Sequence, residues 1–249
     1  MPYRFINTHE SLSDFASGSV IRSVPGQTAF PVRLAREMFE QSLAYRAAEG
    51  LDGPCALYDP CCGSGYLLTT LGFIYNQKIS HIVASDIDTN AVELALSNLA
   101  LLTIEGLDAR INDLAEKYAT FGKESHHLAI TSARSMRQKL VNSSIQLHTF
   151  QTDARSEVAL QIGLRGLRPE IVISDLPYES TVHWHSLDGA IIDSLTATAQ
   201  MLSALHSLLA PSAIVALATE KGQKVAHANY ERLRQMTIGK RRITWLKPS

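Results

Sequence analysis

The chain has 249 residues, of which 45% are hydrophobic and 19% charged, a composition typical of a globular protein with one large domain. No apolar run approaches the roughly 18 residues that a membrane span requires, and the first residues lack the apolar centre of a secretory signal peptide. The three cysteines, Cys55, Cys61 and Cys62, form no CxxC pair, so neither a zinc site nor a disulfide framework is expected. These features predict a cytoplasmic protein that holds no metal.

The net charge of −1 conceals a segregation of charge along the chain. Residues 51–108 contain one lysine and seven acids, a balance of −6. Residues 110–140 contain six basic and three acidic residues, a balance of +3, and residues 220–249 contain eight basic and two acidic residues, a balance of +6. Such basic segments can attract a polyanion, although solvated charged faces explain them equally well.

From Pro31 onward, the hydrophobic pattern alternates between strands and helices. Before this point, "SVIRSV" is predicted to form a short strand, and Pro31 itself suits the first turn of a helix. Asn90 and Glu93 are predicted to form a capping box at the start of another helix, and the last apolar stretch to form a hairpin around Gly239. The remaining predicted strands are 55–59, 81–86, 145–153, 170–175 and 212–220, and the remaining predicted helices are 65–76, 155–166 and 189–209.

This alternation predicts an α/β fold with a doubly wound, mostly parallel, seven-stranded sheet that carries the C-terminal hairpin as its antiparallel part. Residues 1–249 are expected to form a single domain. The strands that end at Asp86 and Asp153 are separated by far more residues than one crossover helix needs. A helical insertion is therefore predicted at 106–142.

The stretch "DPCCGSG" (59–65) lies between the first predicted strand and the helix that follows it. Gly63 and Gly65 allow a sharp turn in which backbone N–H groups approach a ligand, but two glycines without a third are a weak signal. Asp86 strengthens it, because an acid about 20 residues further on, at the end of the next strand, can bind ribose hydroxyls. Asp153 ends a third strand at the same edge, where it could accept a hydrogen bond from an adenine amino group.

Asp59 distinguishes between possible cofactors. It would lie where a dinucleotide fold places a pyrophosphate, so an anion is disfavoured there and a cationic group is favoured. S-adenosylmethionine carries a ribose, an adenine, a sulfonium and an ammonium, which suit Asp59, Asp86 and Asp153. The alternative explanation is that these acids only cap helices or end strands.

A second motif, "DLPY" (175–178), follows the fourth predicted strand. Together with "DPCCGSG", "ASDID" and "TDA", in this order, it resembles the class I S-adenosylmethionine-dependent methyltransferases, which have a Rossmann-like sheet. The resemblance implies S-adenosyl-L-methionine as the cofactor and adds Cys61, Asp88 and Ala154 to the residues expected to bind it. It also implies that residues 1–50 form an N-terminal segment that covers the cofactor.

In this family the motif [DNS]-[PL]-P-[YFW] marks methylation of a nitrogen in a planar system. The resemblance implies that Asp175 and the carbonyl of Leu176 orient the target nitrogen, with Pro177 and Tyr178 completing the loop and the tyrosine stacking on an extruded base. Asp175 could also act as the base that removes a ring proton. Leu176 replaces the first proline of the common form, which leaves the choice of nitrogen open. Trp184, on the following loop, is predicted to stack on a second base.

Over its whole length the chain is similar to the 23S rRNA guanine methyltransferases that confer resistance to the orthosomycin antibiotic avilamycin. This similarity implies methylation of a guanine base of 23S rRNA, at N1 in preference to N2, in naked RNA or in the large ribosomal subunit. A monomeric enzyme is expected. Arg134 and Arg137 in the insertion, and Arg241 and Arg242 near the C-terminus, are expected to bind phosphates.

Two other hypotheses stay open on the residues alone. The same "[DN]xPY" loop serves methyltransferases that act on DNA adenine or protein glutamine. A non-catalytic nucleotide- or RNA-binding protein is the second alternative. Asp59 and the missing third glycine weigh against a dinucleotide, and the intact "DLPY" weighs against a site without activity. Binding of S-adenosylmethionine separates catalysis from binding, and labelled RNA separates the substrates.

Overall fold

The computed structural model describes residues 4–5, 13–15, 19–23, 29–140, 143–177, 184–185 and 191–249. The strands in these ranges are β1 (Cys55–Asp59), β2 (Ile79–Asp86), β3 (Gln146–Gln151), β4 (Ile171–Asp175), β5 (Trp184–His185), β6 (Ile191–Ile192), β7 (Ile214–Glu220), β8 (Tyr230–Ile238) and β9 (Arg241–Pro248). The helices are α1 (Val32–Ala47), α2 (Tyr66–Ile74), α3 (Thr89–Leu99), α4 (Ile104–Phe121), α5 (Glu124–Lys139), α6 (Glu157–Leu164) and α7 (Ser194–His206). None of these helices is long and apolar enough to cross a membrane.

Seven of the described strands form one sheet in the order β3-β2-β1-β4-β7-β9-β8. The strands from β3 to β7 are parallel, and β9 and β8 are antiparallel additions at the end. The prediction of a mostly parallel seven-stranded sheet with an antiparallel C-terminal hairpin is confirmed. The chain runs outward from β1 to β3 and then returns to the other side of β1 with β4. This reversal creates a crevice at the carboxyl ends of β1 and β4, where open sheets of this kind bind ligands.

The sheet is covered on both faces, which explains why its central strands are apolar almost throughout. Successive side chains of β1 point to opposite faces, so that Leu57 and Tyr58, both fully buried, enter different clusters. The Leu57 cluster includes side chains from α1 to α5. The Tyr58 cluster includes side chains from α6 and α7. These two layers fix the strands and therefore the positions of the residues at the strand ends.

The short strand predicted over "SVIRSV" is wrong for the residues of this stretch that the structure describes, which form bends and irregular chain. Side chains take the place of a strand partner. The Arg110 guanidinium donates to the carbonyl oxygens of Ser19 (2.7 Å) and Val20 (3.1 Å). The Asn98 amide accepts from the Arg22 N–H (2.8 Å) and donates to the Arg22 carbonyl (2.9 Å). The segment is thus held against the helices and not against the sheet.

The predicted capping box of Asn90 and Glu93 is also wrong. The N-cap of α3 is Asp88, two residues before Asn90, and its carboxylate accepts from the Asn90 N–H at 2.9 Å. The sequence pattern identified the helix but placed its first turn incorrectly.

α4 and α5 occupy the region predicted as an insertion and pack against each other as an antiparallel pair. Arg137 on α5 donates to both carboxylate oxygens of Asp108 on α4, at 2.5 and 3.0 Å. The Asn76 amide, in the turn after α2, donates to the Lys139 carbonyl at the end of α5. The pair of helices is therefore anchored at its base to the rest of the domain.

The start of α4 requires a glycine, and this requirement can be tested. The Gly106 N–H donates to the Thr103 hydroxyl at 3.0 Å, and a Cβ on Gly106 would lie 2.0 Å from the Ala100 carbonyl oxygen, which cannot move without the backbone. We expect Gly106→Ala to lower the free energy of unfolding by about 2 kcal/mol in denaturant titrations. Gly53→Ala is the control, since nothing lies within 4 Å of its Cβ. Equal stability of the two variants would contradict the packing at this turn.

Candidate functional site

The carboxyl ends of the parallel strands bring together acids that are distant in the sequence. Asp59 ends β1, Asp86 ends β2 and Asp175 ends β4, while Asp153 follows β3 by two residues. All four lie at the same edge of the sheet, with β1 and β4 directly paired at its centre. The structure therefore assembles the acidic residues that the sequence predicted to share one site.

The two glycines of the turn after β1 serve different purposes. Gly65 has a φ of +69°, and a Cβ there would lie 3.0 Å from Ala95 on α3, so this glycine permits close packing of the turn against a helix. Gly63 has a φ of +51°, and a Cβ there would meet no atom within 4 Å. Gly63 therefore leaves open space on this side of the turn, while its N–H is bonded to Asp86.

Asp86 connects this turn to the neighbouring strand. Its Oδ2 accepts from the Gly63 N–H at 2.8 Å, and its Oδ1 accepts from the Asp88 N–H at 3.1 Å. Burial raises the pKa of the Asp86 carboxyl, and the N–H donors of Asp88 and Gly63 act in the opposite direction. A carboxylate has about four acceptor positions, so Asp86 retains capacity for further donors such as hydroxyl groups.

Asp59 is buried directly beneath the turn, with 2% of its surface exposed. Its Oδ1 accepts from the Ser174 hydroxyl at 2.6 Å and from the Cys61 N–H at 3.0 Å. Burial raises the pKa of the Asp59 carboxyl from 3.8 to about 7, because the two donors only partly offset the loss of solvent and the charges of Asp86 and Asp175 add to it. A cationic group of a ligand beside Asp59 would favour the ionised carboxylate and so lower its pKa.

The adjacent cysteines do not suit nucleophilic chemistry. Cys62 is buried and Cys61 half-buried, and both are free thiols. Burial, together with the charges of Asp86 and Asp59, raises the pKa of both thiols well above the usual value. The thiolate is the reactive form, so neither cysteine is activated.

Asp153 is engaged by a residue that the sequence did not indicate. Arg155 donates from Nε to Asp153 Oδ1 (2.9 Å), from Nη2 to Asp153 Oδ2 (2.6 Å) and from its backbone N–H to Oδ1 (2.9 Å). Both side chains are largely buried, at 9% and 15% exposure, and Ala154 between them is also buried. The bidentate pair fixes the carboxylate at this edge and occupies most of its acceptor positions.

The "DLPY" motif leaves the sheet beside Asp59. Asp175 is half-buried, the Leu176 side chain is buried in the core, and the Leu176 N–H donates to the Ala218 carbonyl at 3.0 Å. This bond extends the pairing of β4 with β7 by one residue and fixes where the loop begins. Pro177 follows and is half-buried. Tyr178 lies outside the described residues.

The four arginines predicted to bind phosphates are in different situations. Arg134 on α5 is exposed. Arg137 forms the ion pair with Asp108, and Arg242 donates to the Gln223 carbonyl at 3.0 Å. Arg241 lies in the site itself, 3.6 Å from Asp175. Of these, Arg134 remains the clearest candidate for contact with a polyanion.

The placement predicted for Trp184 is wrong. It belongs to the short strand β5, which pairs with β6, and 6% of its surface is exposed. The ring lies in the hydrophobic cluster that contains Leu176 and Met201. Trp184 is therefore not presented at the mouth of the site for stacking on a base. Alternating apolar and polar residues in "TVHWH" were a weak signal for such a strand.

Ser174 and Arg155 are the functional neighbours that the sequence analysis missed. Ser174 is a polar residue in an otherwise apolar strand, "IVISD", which was a readable signal because a buried hydroxyl needs a partner. Arg155 follows Asp153 by two residues in "TDAR". Within the described ranges, no group of three or more His, Cys, Asp or Glu side chains is arranged to hold a metal ion.

Comparisons with known proteins find matches over almost the whole chain. The family described as "RRNA methyltransferase AviRa" matches residues 1–241. A 23S rRNA (guanine(2535)-N(1))-methyltransferase of Streptomyces viridochromogenes is 38% identical over 241 residues, which are 96% of this chain and 93% of that protein. The solved structure of rRNA methyltransferase AviRa from the same organism has a TM-score of 0.87 at 37% identity and covers 99% of this chain and 96% of its own. The structure of TrmN from Thermus thermophilus shares the fold alone, because its sequence identity is 15%. Its TM-score is 0.52, and the match covers 90% of this chain and 50% of that chain.

The raised pKa of Asp59 predicts an unusual dependence of stability on pH. Between pH 4 and 7 the folded protein holds a proton on Asp59 that the unfolded chain has lost. Each rise in pH over this range therefore favours the unfolded chain and lowers the free energy of unfolding. Asn cannot ionise, but its oxygen can still accept from Ser174 and Cys61. We expect the unfolding free energy of Asp59→Asn, relative to the wild type, to increase by as much as about 4 kcal/mol between pH 4 and 8.

The measurement is urea unfolding at several pH values, with Asp52→Asn as the control because Asp52 is an exposed acid just before β1. The control should follow the wild type. A pH-independent difference between Asp59→Asn and the wild type would show that Asp59 ionises normally.

Proposed function

Because the chain belongs to the AviRa family of rRNA methyltransferases, we propose that it transfers a methyl group from S-adenosyl-L-methionine to N1 of a guanine base in 23S rRNA. The observation that carries this proposal is the family match across residues 1–241, to which the site adds an acid, Asp175, at the end of the central strand β4. Modification of that base is proposed to confer resistance to avilamycin.

The residues around the turn fit S-adenosyl-L-methionine. The space in front of Gly63 admits a ligand, and Asp86 retains acceptor positions for the two ribose hydroxyls. Asp59 is a buried carboxyl whose ionised form a cationic group would stabilise, and the remaining acceptor position of Asp153 suits the adenine amino group. The cofactor supplies a methyl group on a positively charged sulfur, which makes that methyl electrophilic.

The other residues expected at the cofactor have supporting roles in this proposal. Cys61 and Ala154 contribute small side chains beside the carboxylates of Asp59 and Asp153. Asp88 caps α3 and donates its N–H to Asp86, so it orients the acid that holds the ribose. The N-terminal segment is proposed to cover the bound cofactor.

Methylation at guanine N1 requires loss of a proton, because N1 carries a hydrogen and its lone pair is delocalised in the ring. Asp175 is the acid available at the end of β4 to accept that proton, and it can first accept the N1–H as a hydrogen bond. The hydrogen bond from the Leu176 N–H to the Ala218 carbonyl fixes the start of the loop. It thereby fixes the backbone position from which the Asp175 side chain extends. Positioning of this kind is the main source of catalysis in a direct transfer.

RNA is proposed to approach across the insertion. α5 carries Arg134 exposed on its surface, and the insertion as a whole is basic. Exposed positive charge binds phosphates without regard to sequence and leaves selection of the base to the site. The flipped guanine would then enter the crevice between β1 and β4.

The experiment that tests the function is transfer of labelled methyl groups from S-adenosyl-L-methionine to purified 23S rRNA and to intact large subunits. Nuclease digestion and mass analysis identify the modified nucleoside. We expect labelled 1-methylguanosine. N2-methylguanosine would change the assigned nitrogen, and label in DNA or protein alone would replace the substrate class.

The assigned role of Asp175 predicts a selective loss of activity. Asp175→Asn keeps the shape and an acceptor oxygen but cannot take up a proton, so kcat should fall by about 100-fold or more. Cofactor affinity, measured by calorimetry, should stay within about threefold of the wild type, since Asp175 does not hold the turn. Asp193→Asn is the control because Asp193 is an exposed N-cap of α7 that asparagine can replace. A fully active Asp175→Asn enzyme would exclude Asp175 as the base.

The assigned role of Arg134 predicts a change in salt dependence. Arg134→Glu should weaken RNA binding and reduce the slope of log K against log salt concentration by about 1 for each phosphate that the arginine neutralises in the wild type. Lys78→Glu is the control, since Lys78 is exposed in the turn before β2, at the opposite edge of the sheet. The same salt slope in Arg134→Glu and in the wild type would remove α5 from the RNA-binding surface.

A further inference from the structure

One of the described ion pairs joins Arg241 to Asp175, the acid assigned to catalysis. Its Nη2 lies 3.6 Å from Asp175 Oδ2, and about a quarter of each side chain is exposed, 24% and 26%. The distance is that of an ion pair and exceeds the roughly 2.7–2.9 Å of a charge-assisted hydrogen bond. The guanidinium thus acts on Asp175 mainly through its charge and position.

Two rigid contacts fix where that charge lies. Arg241 is the first residue of β9 and pairs with Glu220 of β7 in the antiparallel ladder, so its backbone belongs to the sheet. Its guanidinium carbon lies 5.2 Å from the centre of the buried Phe30 ring, just before α1. A cation over an aromatic face is held in place by the ring quadrupole. Arg241 therefore connects β9, the N-terminal segment and Asp175.

The charges around Asp175 explain what the contact with Arg241 can contribute. Asp59 and Asp175 end adjacent parallel strands, and the negative charge of Asp175 disfavours ionisation of Asp59. Two carboxyl groups therefore lie at the ends of paired strands, where like charges repel each other. Arg241 provides the opposing positive charge on the other side of Asp175, while Glu220 lies across the ladder from Arg241.

We propose that Arg241 is a positioning residue for the methyl transfer, which holds the Asp175 carboxylate ionised and facing the substrate. The inference rests on the proposed function. In the transfer, a bond forms between the methyl carbon and guanine N1 while the bond from sulfur to that carbon breaks, and the electron pair stays on sulfur as a neutral thioether. The N1 proton moves to Asp175. Arg241 exchanges no proton or electron and acts through Asp175.

The sequence alone suggested a different role, in which Arg241 binds an RNA phosphate. The two roles predict opposite kinetic effects. A phosphate contact contributes to RNA affinity, so its removal raises KM for RNA with kcat at saturating RNA unchanged. A positioning residue leaves KM nearly unchanged and lowers kcat.

The experiment compares Arg241→Ala, Arg241→Lys and the wild type in methyl transfer to 23S rRNA. We expect kcat of Arg241→Ala at neutral pH to fall by about tenfold or more, with KM for RNA and cofactor affinity within about twofold. The acidic limb of its kcat–pH profile should move to higher pH by about half a unit to one unit, a shift kept modest because the pair is partly exposed. Arg241→Lys should recover part of both effects, because a lysine keeps the charge.

Lys240→Ala is the matched control, because Lys240 is exposed and precedes Arg241, so this variant loses the same charge beside the site. It should resemble the wild type in kcat and in the pH profile. If Arg241→Ala does not fold, as judged by its thermal melting curve, Arg241→Lys decides through its pH profile.

A raised KM with unchanged kcat, or an unshifted pH profile in both variants, would overturn the positioning role in an active enzyme. Failure of the proposed function has a different signature. In that case the wild type itself transfers no methyl group to RNA, although it binds S-adenosyl-L-methionine, and the inference about Arg241 falls with it.

Discussion

The accumulation of carboxylates at one edge of a parallel sheet is the constraint on which the rest of the structure depends. Parallel strands end at the same edge, so the last residues of β1, β2 and β4 meet there. Burial of such groups is costly unless donors reach them. The Ser174 hydroxyl reaches Asp59, and the Gly63 N–H reaches Asp86. The shape of the turn therefore depends on the hydrogen bonds that its N–H groups donate to the buried acids, as well as on the ligand that it is expected to bind.

The same turn is held from its outer side by residues that belong to the helices. Gly65 packs on Ala95 of α3, and Asn98, one turn further along that helix, donates to the Ser64 carbonyl. Asn98 also holds both backbone groups of Arg22. One buried amide thus joins the N-terminal segment to the turn after β1.

The sequence predicted the sheet and the acids of the site because these depend on local patterns, namely apolar strands, glycines and the polar residue that ends each strand. What it missed depends on partners that are far apart in the chain. Arg22 is held by a residue 76 positions away, so "SVIRSV" read as a strand. Trp184 looked exposed because its surroundings are polar, whereas pairing of β5 with β6 buries it. The contact between Arg241 and Asp175 could not be predicted, since no local pattern places these two residues side by side.

The burial of Asp59 has a thermodynamic consequence for whatever ligand occupies the crevice. Burial raises the pKa of the Asp59 carboxyl to about 7, far above its ordinary value, because no cation among the described residues offsets the loss of solvent. A cationic group that binds beside the carboxylate favours its ionised form, so binding should release a proton from Asp59 into the buffer. The heat of binding would then vary with the ionisation enthalpy of the buffer, and affinity would weaken as the pH falls below the pKa of Asp59.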